Sequence, residues 1–388
     1  MIRNSIEIEK MIVNFEFLDN EPIHNVITAL NFAVDKIVFF GFDTDVKRHG
    51  DALACFLQKY CDVKEIEFIR IPRNMLREIL EKMRTAVLSE KNAGNQVFFD
   101  LTGGDELPLV ALGMLAAETE LPMHVFNVEK GQLKELEEGA PAEISRAAVS
   151  RKVPFDVKML IELREGRVNE KLHKTNKAIE DEKNQRELQS MISMFEKDAE
   201  NWSERSAAFI GALTESEGGQ YYLDYDKVSS NWRRKELRHF YNELLHCKLI
   251  SETGAMYGND WNCFTFASDF VRRTLSETGA VLELKTCLEL RKLYGIAELG
   301  VHVDWNGILD EDVDVINEVD VIAIDGYTPI LVSCKCGNGV GLQALYELDT
   351  VAQKFGGRYA RKILVSAKGM SRTDMRRAEE MGIEVRTI

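Results

Sequence analysis

The chain has 388 residues, of which 45% are hydrophobic and 29% are charged, values that exclude a largely disordered protein and indicate two or three globular domains. Its net charge of −15 repels nucleic acid overall, so a nucleic-acid site would need local cations or a bound metal ion. No signal peptide and no apolar run of roughly 20 residues is visible, and seven cysteines are scattered along the chain. These features favour a cytoplasmic protein with reduced thiols and no membrane segment.

Strand and helix patterns alternate through residues 1–145. Helical patterns, for instance at 74–88 and 107–117, separate apolar or alternating runs that predict five strands, at residues 11–18, 36–42, 63–71, 96–101 and 123–128. Such alternation predicts an α/β domain whose open, Rossmann-like parallel sheet is covered by helices on both faces. Sheets of this kind bind ligands at the carboxyl ends of their strands.

Residues 146–275 are more charged and mostly helical, with candidate helices at 158–164 and 177–197. A helix at 232–249 begins with four consecutive aromatic or basic residues, and a hairpin follows at 250–266, with turn residues Gly254, Gly258 and Asn259. Helices followed by a β-hairpin suggest a connector and a small winged-helix-like unit. The sequence leaves open whether this unit contacts nucleic acid or only spaces the flanking domains.

Residues 276–388 form a third unit, predicted to be α/β. Two strands, at 314–324 and 330–336, are joined by Asp325-Gly326, and this dipeptide between β-runs is a strong hairpin signal. The other predicted elements are helices at 279–294, 342–355 and 372–381 and strands at 362–366 and 383–388.

The predicted hairpin carries a candidate catalytic site. Side chains alternate along a strand, so Glu318 and Asp320 share one face, as do Ser333 and Lys335 on the next strand. A carboxylate can hold Mg²⁺ or Mn²⁺, and a lysine can orient water or stabilise developing negative charge. This combination predicts metal-assisted hydrolysis of a phosphodiester.

The arrangement resembles the PD-(D/E)xK restriction-endonuclease fold over residues 276–388. The resemblance implies catalytic roles for Asp320 and Lys335, and it places Glu283 at the acidic position of the preceding helix. Ser333 stands where the family has a carboxylate, which puts metal binding at that position in doubt. Glu347 on the following helix is the candidate replacement, so the expected metal ligands are Asp320, Glu347 and Glu318. The alternative is a site that has lost its metal and its activity.

A glycine-rich turn follows the fourth predicted strand of the N-terminal domain. Thr102-Gly103-Gly104-Asp105 leads directly into a helix, where backbone N–H groups can approach an anionic ligand. Asp105 could instead serve only as the helix N-cap, and the glycines only as the turn. The dinucleotide fingerprint G-x-G-x-x-G is absent, which argues against a dehydrogenase.

This domain resembles the CRISPR-associated Rossmann fold, or CARF, and with the C-terminal unit it resembles the ancillary nucleases of type III CRISPR systems. The resemblance implies a homodimer that binds a cyclic oligoadenylate, commonly cyclic tetra-adenylate, across two CARF domains and then cleaves single-stranded RNA, single-stranded DNA or both. The implied ligand-binding positions are Asp19, Asn20, Glu21, Thr102, Gly103, Gly104 and Asp105. Two alternatives stay open: a ligand-responsive DNA-binding regulator with an inactive nuclease fold, and an unrelated α/β enzyme acting on mononucleotides.

Overall fold

The computed structural model describes residues 10–134, 150, 152–172, 177–228, 230–257, 261–305, 307, 316–337 and 341–388. Within these residues the chain forms three β-sheets, two of six strands and one of four. None of the helices in the described residues is long and apolar enough to cross a membrane. The predicted boundary at 145/146, the turn residues Gly258 and Asn259, and part of the loop before the helix at 342 lie outside the described residues.

The N-terminal sheet confirms the predicted parallel architecture. Its strand order is β3-β2-β1-β4-β5-β6; the first five strands are parallel and β6 is antiparallel to β5. The strands are β1 (Ile12–Phe17), β2 (Lys36–Gly41), β3 (Glu65–Arg70), β4 (Gln96–Asp100), β5 (Met123–Asn127) and β6 (Gln132–Lys134).

Four helices cover the two faces of this sheet: α1 (Ile27–Asn31) and α2 (Asp43–Cys61) on one, α3 (Leu76–Asn92) and α4 (Glu106–Thr119) on the other. Alternate residues of β1 explain this layering, because Phe15 packs with the α3 and α4 side while Ile12 packs with the α1 and α2 side. β1 and β4 are neighbours and parallel, so the chain segments that follow them meet at one edge of the sheet.

The middle of the chain contains helices and a small antiparallel sheet, of order β10-β11-β9-β8. Aromatic side chains form much of its core. The ring centroids of Trp202 and Phe240, for example, are 5.4 Å apart. Ser230 accepts a hydrogen bond from the backbone N–H of Arg233 and so caps the basic helix. The elements are α5 (Val157–Leu163), β7 (Arg167–Val168), α6 (Lys177–Glu180), α7 (Glu182–Lys197), α8 (Ala199–Ala212), β8 (Leu213–Glu215), β9 (Tyr221–Leu223), α9 (Asn231–His246), β10 (Ile250–Tyr257) and β11 (Trp261–Phe266).

The C-terminal sheet has the order β16-β15-β14-β13-β12-β7. Its hairpin turns at Gly326, whose φ of +63° suits glycine, as the Asp-Gly signal predicted. The elements are α10 (Asp269–Ser276), α11 (Ala280–Tyr294), β12 (Ile296–Asp304), β13 (Ile316–Asp325), β14 (Thr328–Lys335), α12 (Leu342–Val351), β15 (Arg361–Ser366), α13 (Arg372–Glu380) and β16 (Ile383–Thr387).

Two strands of this sheet, β12 and β7, were not predicted. β12 contains Gly300 at φ +56°, and a glycine outside the β region weakens a strand pattern in the sequence. β7 has only two residues, and it pairs with β12 from a segment predicted to be part of the helical connector. The connector therefore contributes the edge strand of the C-terminal sheet.

The N-terminal and C-terminal sheets are joined by a shared apolar core. Helix α5 packs against α2 and against the C-terminal sheet, and side chains such as Leu163 and Phe355 belong to one buried cluster with residues of the N-terminal domain. The carboxyl edge of the N-terminal sheet thereby lies beside the segment that follows α12, as the contacts of Glu21 and His24 with residues 358–359 show.

Candidate functional site

A cavity of about 550 Å³ lies where β13 and β14 face α12. Strand periodicity places the predicted side chains there: the even-numbered residues of β13 and the odd-numbered residues of β14 point to the α12 side. The cavity lining includes Glu318, Asp320, Ser333, Lys335 and Glu347. The structure thus brings together five side chains that the sequence analysis had placed on three separate elements.

Asp320 forms the floor of this cavity, with a side chain only 18% exposed. Its Oδ2 accepts hydrogen bonds from the backbone N–H of Cys334 at 2.6 Å and from the Ser333 hydroxyl at 3.2 Å. Burial raises the pKa of Asp320, although those hydrogen bonds and the Lys335 ammonium act in the opposite direction. The protein groups around Asp320 therefore do not fully offset the cost of burying its negative charge. A bound cation would stabilise the ionised carboxylate.

Lys335 supplies the cationic group of the cavity. Its Nζ lies 4.0 Å from Asp320 Oδ2, and its side chain is 37% exposed, so it can reach a ligand in the cavity. Glu318 is two residues before Asp320 on the same face, is 39% exposed and lies 3.5 Å from the His302 Nε2. A cation beside two carboxylates, one buried and one partly open, is suited to metal-assisted attack on a phosphate ester.

The two remaining predicted acidic residues lie in different places. Glu347 is exposed on α12, lines the cavity and accepts a 2.7 Å hydrogen bond from Gln343 Nε2, one helical turn earlier. Glu283 lies on α11, across the sheet from Asp320, and lines a separate cavity with Phe270 and Leu299. The structure does not bring Glu283 into the Asp320 cavity, and its catalytic role stays a prediction.

A feature missed at the sequence level is the residue opposite Asp320. In the β12–β13 ladder, Leu299 pairs with Val321 and Val301 with Val319, so Gly300 stands beside Asp320. Its φ of +56° lies outside the β region, and a glycine within a β-run weakens the strand pattern, which is why the sequence did not reveal this strand.

The donor set suits a hard divalent cation. Carboxylate and hydroxyl oxygens from Asp320, Glu318, Glu347 and Ser333 border one cavity, and oxygen ligands are those that Mg²⁺ and Mn²⁺ prefer. Among the described residues, no three His, Cys, Asp or Glu side chains are already arranged as a metal-holding group. The buried carboxylate with its raised pKa is the observation that fits a cation at this position.

The second candidate site lies where β1 and β4 end, around Thr102-Gly103-Gly104-Asp105. Thr102 anchors this turn, because its backbone N–H donates to Asp100 Oδ1 at 2.7 Å and its hydroxyl accepts the Phe126 N–H at 2.9 Å. A Cβ on Gly103 would overlap the His24 ring and lie 2.7 Å from Asp19 Oδ2, so only glycine fits there. Close packing against the loop after β1 is therefore one reason for the glycine.

Asp19, in the loop after β1, binds this turn directly. Burial alone would raise the pKa of Asp19, but bonds from His24 and from the backbone N–H groups of Glu21 and Gly104 outweigh it and lower the pKa. Asn20 beside it is exposed. Asp105 occupies the N-cap position of α4 without a side-chain capping bond. The structure thus gives no support to a purely capping role for Asp105.

Glu21 is engaged with the C-terminal part of the chain. Its carboxylate forms an ion pair with Arg164 and accepts the backbone N–H of Arg358 at 3.1 Å, and the residue is 7% exposed. Nearby, His24 Nε2 and the Tyr359 hydroxyl are 2.8 Å apart. The ligand-binding role implied for Glu21 stays a prediction, whereas its contacts join the carboxyl edge of the N-terminal sheet to the segment after α12.

Arg73 is a cation at this edge that the sequence analysis missed. It follows β3, stacks on the Phe42 ring at 4.1 Å and lies 3.3 Å from Asp45 Oδ2. Its side chain is 55% exposed, and its charge acts on Asp105. No local motif marks Arg73, because the parallel sheet brings the end of β3 close to the glycine turn only in the folded chain.

Residues 271–387 match the protein-family model described as "Card1-like, endonuclease domain". The whole chain has the fold of a solved protein, VC1899 from Vibrio cholerae, with a TM-score of 0.72 and 19% identity over 97% of this chain and 94% of that one. The C-terminal unit is thus similar to a Card1-like endonuclease domain, and the α/β fold of the whole chain is shared with a solved structure. The sequence-based resemblance is confirmed at this level.

Two further solved structures share the fold. Can2 from Sulfobacillus thermosulfidooxidans, solved in complex with cyclic tetra-adenylate, has a TM-score of 0.62 and 14% identity, over 96% of this chain and 94% of that one. A type III CRISPR defence DNA nuclease activated by cyclic oligoadenylate has a TM-score of 0.51 and 14% identity, over 94% of this chain and 50% of that one. A search of curated proteins by sequence found no match.

Proposed function

We propose that this chain is a cytoplasmic nuclease of type III CRISPR defence, activated by a cyclic oligoadenylate and dependent on a divalent metal ion. The observation that carries the proposal is the Asp320–Lys335 pair inside a cavity of a Card1-like domain, joined to a CARF-like ligand edge. Its substrate is single-stranded RNA, single-stranded DNA or both.

The chemistry follows from the cavity residues. Asp320, with Glu347 and Glu318, would hold Mg²⁺ or Mn²⁺, which when bound polarises a phosphate and lowers the pKa of water. The Ser333 hydroxyl and the Cys334 N–H orient the Asp320 carboxylate. Lys335 binds a non-bridging phosphate oxygen and stabilises the charge that develops on it.

Cyclic tetra-adenylate is the proposed activator, because the solved structure of Can2, with the same fold over 96% of this chain, contains it. The turn Thr102-Gly103-Gly104-Asp105 and the loop residues Asp19, Asn20 and Glu21 would line its site. Arg73 is the nearby cation that can pair with a phosphate of the ring.

Arg73→Ala is therefore expected to weaken cyclic tetra-adenylate binding about tenfold, the loss of one charge-assisted contact. Calorimetric titration of the full chain measures this affinity. The matched control is Lys64→Ala, which removes a cation paired with Asp35 at 2.9 Å at the opposite, amino-terminal edge of the same sheet. Equal affinity in Arg73→Ala and wild type would remove Arg73 from the ligand site.

A homodimer is the second part of the proposal, and α4 supports it. This helix begins at the glycine turn and is apolar all round, yet one face is open: Val110 is 50% exposed and Met114 is 49% exposed. A helix of that composition is normally buried on every side. A second copy of the chain, packed α4 to α4 about a two-fold axis, would cover the face and bring two glycine turns together.

The route from ligand to active site runs through the loop after β1. His24 packs on Gly103 and bonds Tyr359, while Glu21 pairs with Arg164 and the backbone of Arg358. That segment follows directly from α12, which borders the Asp320 cavity. A shift of the loop on ligand binding would be passed to α12 through these contacts.

Tyr359→Phe tests this route, because it removes only the hydroxyl that contacts His24. Ligand affinity and unstimulated cleavage are expected to stay near wild type, while stimulation by cyclic tetra-adenylate falls several-fold. Tyr327→Phe is the matched control: it removes a 2.7 Å hydrogen bond from Asn31 across the same domain boundary, away from the loop. Equal stimulation in both variants and wild type would exclude the route.

Cleavage assays with Mn²⁺ and labelled single-stranded RNA or DNA separate this function from its alternatives. Polymer cleavage that is lost in Lys335→Ala supports the nuclease. Tight DNA binding with no cleavage under any condition would favour the regulator with an inactive nuclease fold. Turnover of free nucleotides without polymer cleavage would favour an unrelated α/β enzyme.

A further inference from the structure

A second large cavity, of about 560 Å³, lies in the middle unit between α8 and the start of α9. Trp232 lines it with 61% of its surface exposed, whereas Trp202 in the same unit is 1% exposed. A tryptophan left open at the rim of a cavity offers a flat aromatic face for stacking. Its hydrophobic surface is available to a ligand and contributes little to the core.

Exposed cations line the same cavity as this tryptophan ring. Arg233 and Lys227 line the cavity and are exposed, and Lys235 is exposed one residue further on. The first turn of α9 has no acidic residue, although the positive end of the helix dipole favours acids there and disfavours cations. The cations therefore cost the isolated helix some stability, and an anionic ligand would relieve that repulsion.

The acidic residues of the cavity are mostly neutralised by partners. Asp198 pairs with Arg205 at 2.9 Å, and Glu204 lies 3.4 Å from Lys368. Glu236 also lines the cavity. Arg205 is 7% exposed, and its Nε has no hydrogen-bond acceptor among the described residues, so the cavity wall holds a buried donor without a partner.

One wall of this cavity contacts a segment that lies beside the end of β14. Lys368, which contacts Glu204 on the cavity wall, follows Ala367, and the Ala367 N–H donates to the Lys335 carbonyl oxygen at 3.0 Å. The cavity wall is thus two short contacts from the strand end that carries the catalytic lysine.

We propose that the cavity between α8 and α9 is a binding site for single-stranded nucleic acid, with a base stacked on Trp232 and flanking phosphates held by Arg233 and Lys227. Base stacking on an open aromatic ring and paired cations are the two components of single-strand binding. The proposal rests on the proposed nuclease function and gives the middle unit a role in holding its substrate. It also gives the polymer two local cations, Arg233 and Lys227, on a chain whose net charge of −15 would otherwise repel it.

The test measures binding of a fluorescein-labelled 20-nucleotide single strand, DNA or RNA, to the full chain in EDTA, where no metal-dependent cleavage occurs. Trp232→Ala is expected to weaken binding about tenfold or more, the effect of losing one stacked base. The double reversal Arg233→Glu with Lys227→Glu is expected to weaken binding at least as much and to reduce its salt dependence. Leu293→Ala, at a site 67% exposed on α11, and the exposed pair Lys152→Glu with Lys171→Glu are the matched controls.

Unchanged affinity in both cavity variants would overturn the proposal, as would an equal loss in the control variants. Cleavage with Mn²⁺, measured separately, distinguishes this result from failure of the proposed function. If wild type binds the strand through Trp232 but never cleaves it, the binding site stands and the nuclease proposal falls. If wild type cleaves and the cavity variants bind and cleave normally, the nuclease stands and the cavity proposal falls.

Discussion

Asp320→Asn and Lys335→Ala are each expected to reduce metal-dependent cleavage by on the order of 10²–10³-fold or more, the effect of removing a group that stabilises transition-state charge. The amide introduced by Asp320→Asn would keep an acceptor for the Cys334 N–H but lose the negative charge that holds a cation. Lys335→Ala removes a side chain that is 37% exposed, so no buried charge is left without a partner. Single-turnover rates on labelled single-stranded RNA and DNA give the measurement, and near-wild-type rates in either variant would refute the site.

Asp320→Asn should also show that loss of activity is not caused by loss of stability. Folding raises the pKa of Asp320 through burial, so its ionisation destabilises the folded chain at pH values above the folded pKa. That cost disappears as the pH falls below the unfolded value, where both states are protonated. Asp320→Asn is therefore expected to have a higher Tm than wild type at neutral pH without metal, by an amount that shrinks as the pH is lowered. Mn²⁺ should raise the Tm of wild type more than that of the variant.

The proposed role of Glu347 as a metal ligand is tested in the same cleavage assay by moving its carboxylate to position 333. Glu347→Ala is expected to lose most activity, and adding Ser333→Glu should restore part of it by returning a carboxylate to the family position. Gln343→Ala is the control, since it removes only the neighbour that donates to Glu347 at 2.7 Å. Full activity in Glu347→Ala would leave Glu318 as the second ligand, because Glu283 lies outside this cavity.

Met114→Glu is expected to convert the proposed homodimer to a monomer and to abolish stimulation by cyclic tetra-adenylate. In a two-fold interface formed by α4, the substitution places two like charges in an apolar contact, and Val110→Glu one turn earlier should do the same. Sedimentation equilibrium gives the oligomeric state, and calorimetry gives the number of rings bound per chain.

Gln58→Glu provides the control for this interface. It adds the same charge at an exposed position of α2, on the other face of the sheet, and should leave a dimer that binds one ring per two chains. A wild-type chain that is monomeric with the activator bound, or a Met114→Glu chain that remains dimeric, would contradict the two-fold arrangement.

Local patterns in the sequence predicted most of what positions the candidate site. Period-2 alternation placed Asp320 and Lys335 on the same face of a hairpin, and the Asp-Gly turn fixed the pairing that brings them within 4.0 Å. Alternating strands and helices were sufficient for the parallel N-terminal sheet and its glycine turn. These features depend on residues close together in sequence.

What the sequence did not reveal depends on contacts between distant segments. Nothing near Glu21 indicates that its partners are Arg164 and the backbone of Arg358, which lie more than a hundred residues away. Arg73 and Gly300 likewise gain their positions only through sheet pairing. The sequence placed Glu283 near the site by family position, whereas folding sets α11 against the opposite face of the sheet.

The proposed switch is the activation of the Asp320–Lys335 cavity by a ligand bound at the N-terminal edge. It is tested most directly by the ratio of single-turnover cleavage rates with and without cyclic tetra-adenylate, on labelled single-stranded RNA and DNA in Mn²⁺. We expect a rise in rate of at least tenfold for wild type on one substrate or both, and no detectable rate for Lys335→Ala with activator. Cleavage at the same rate with and without the ring, or a stimulated rate that survives in Lys335→Ala, would contradict it.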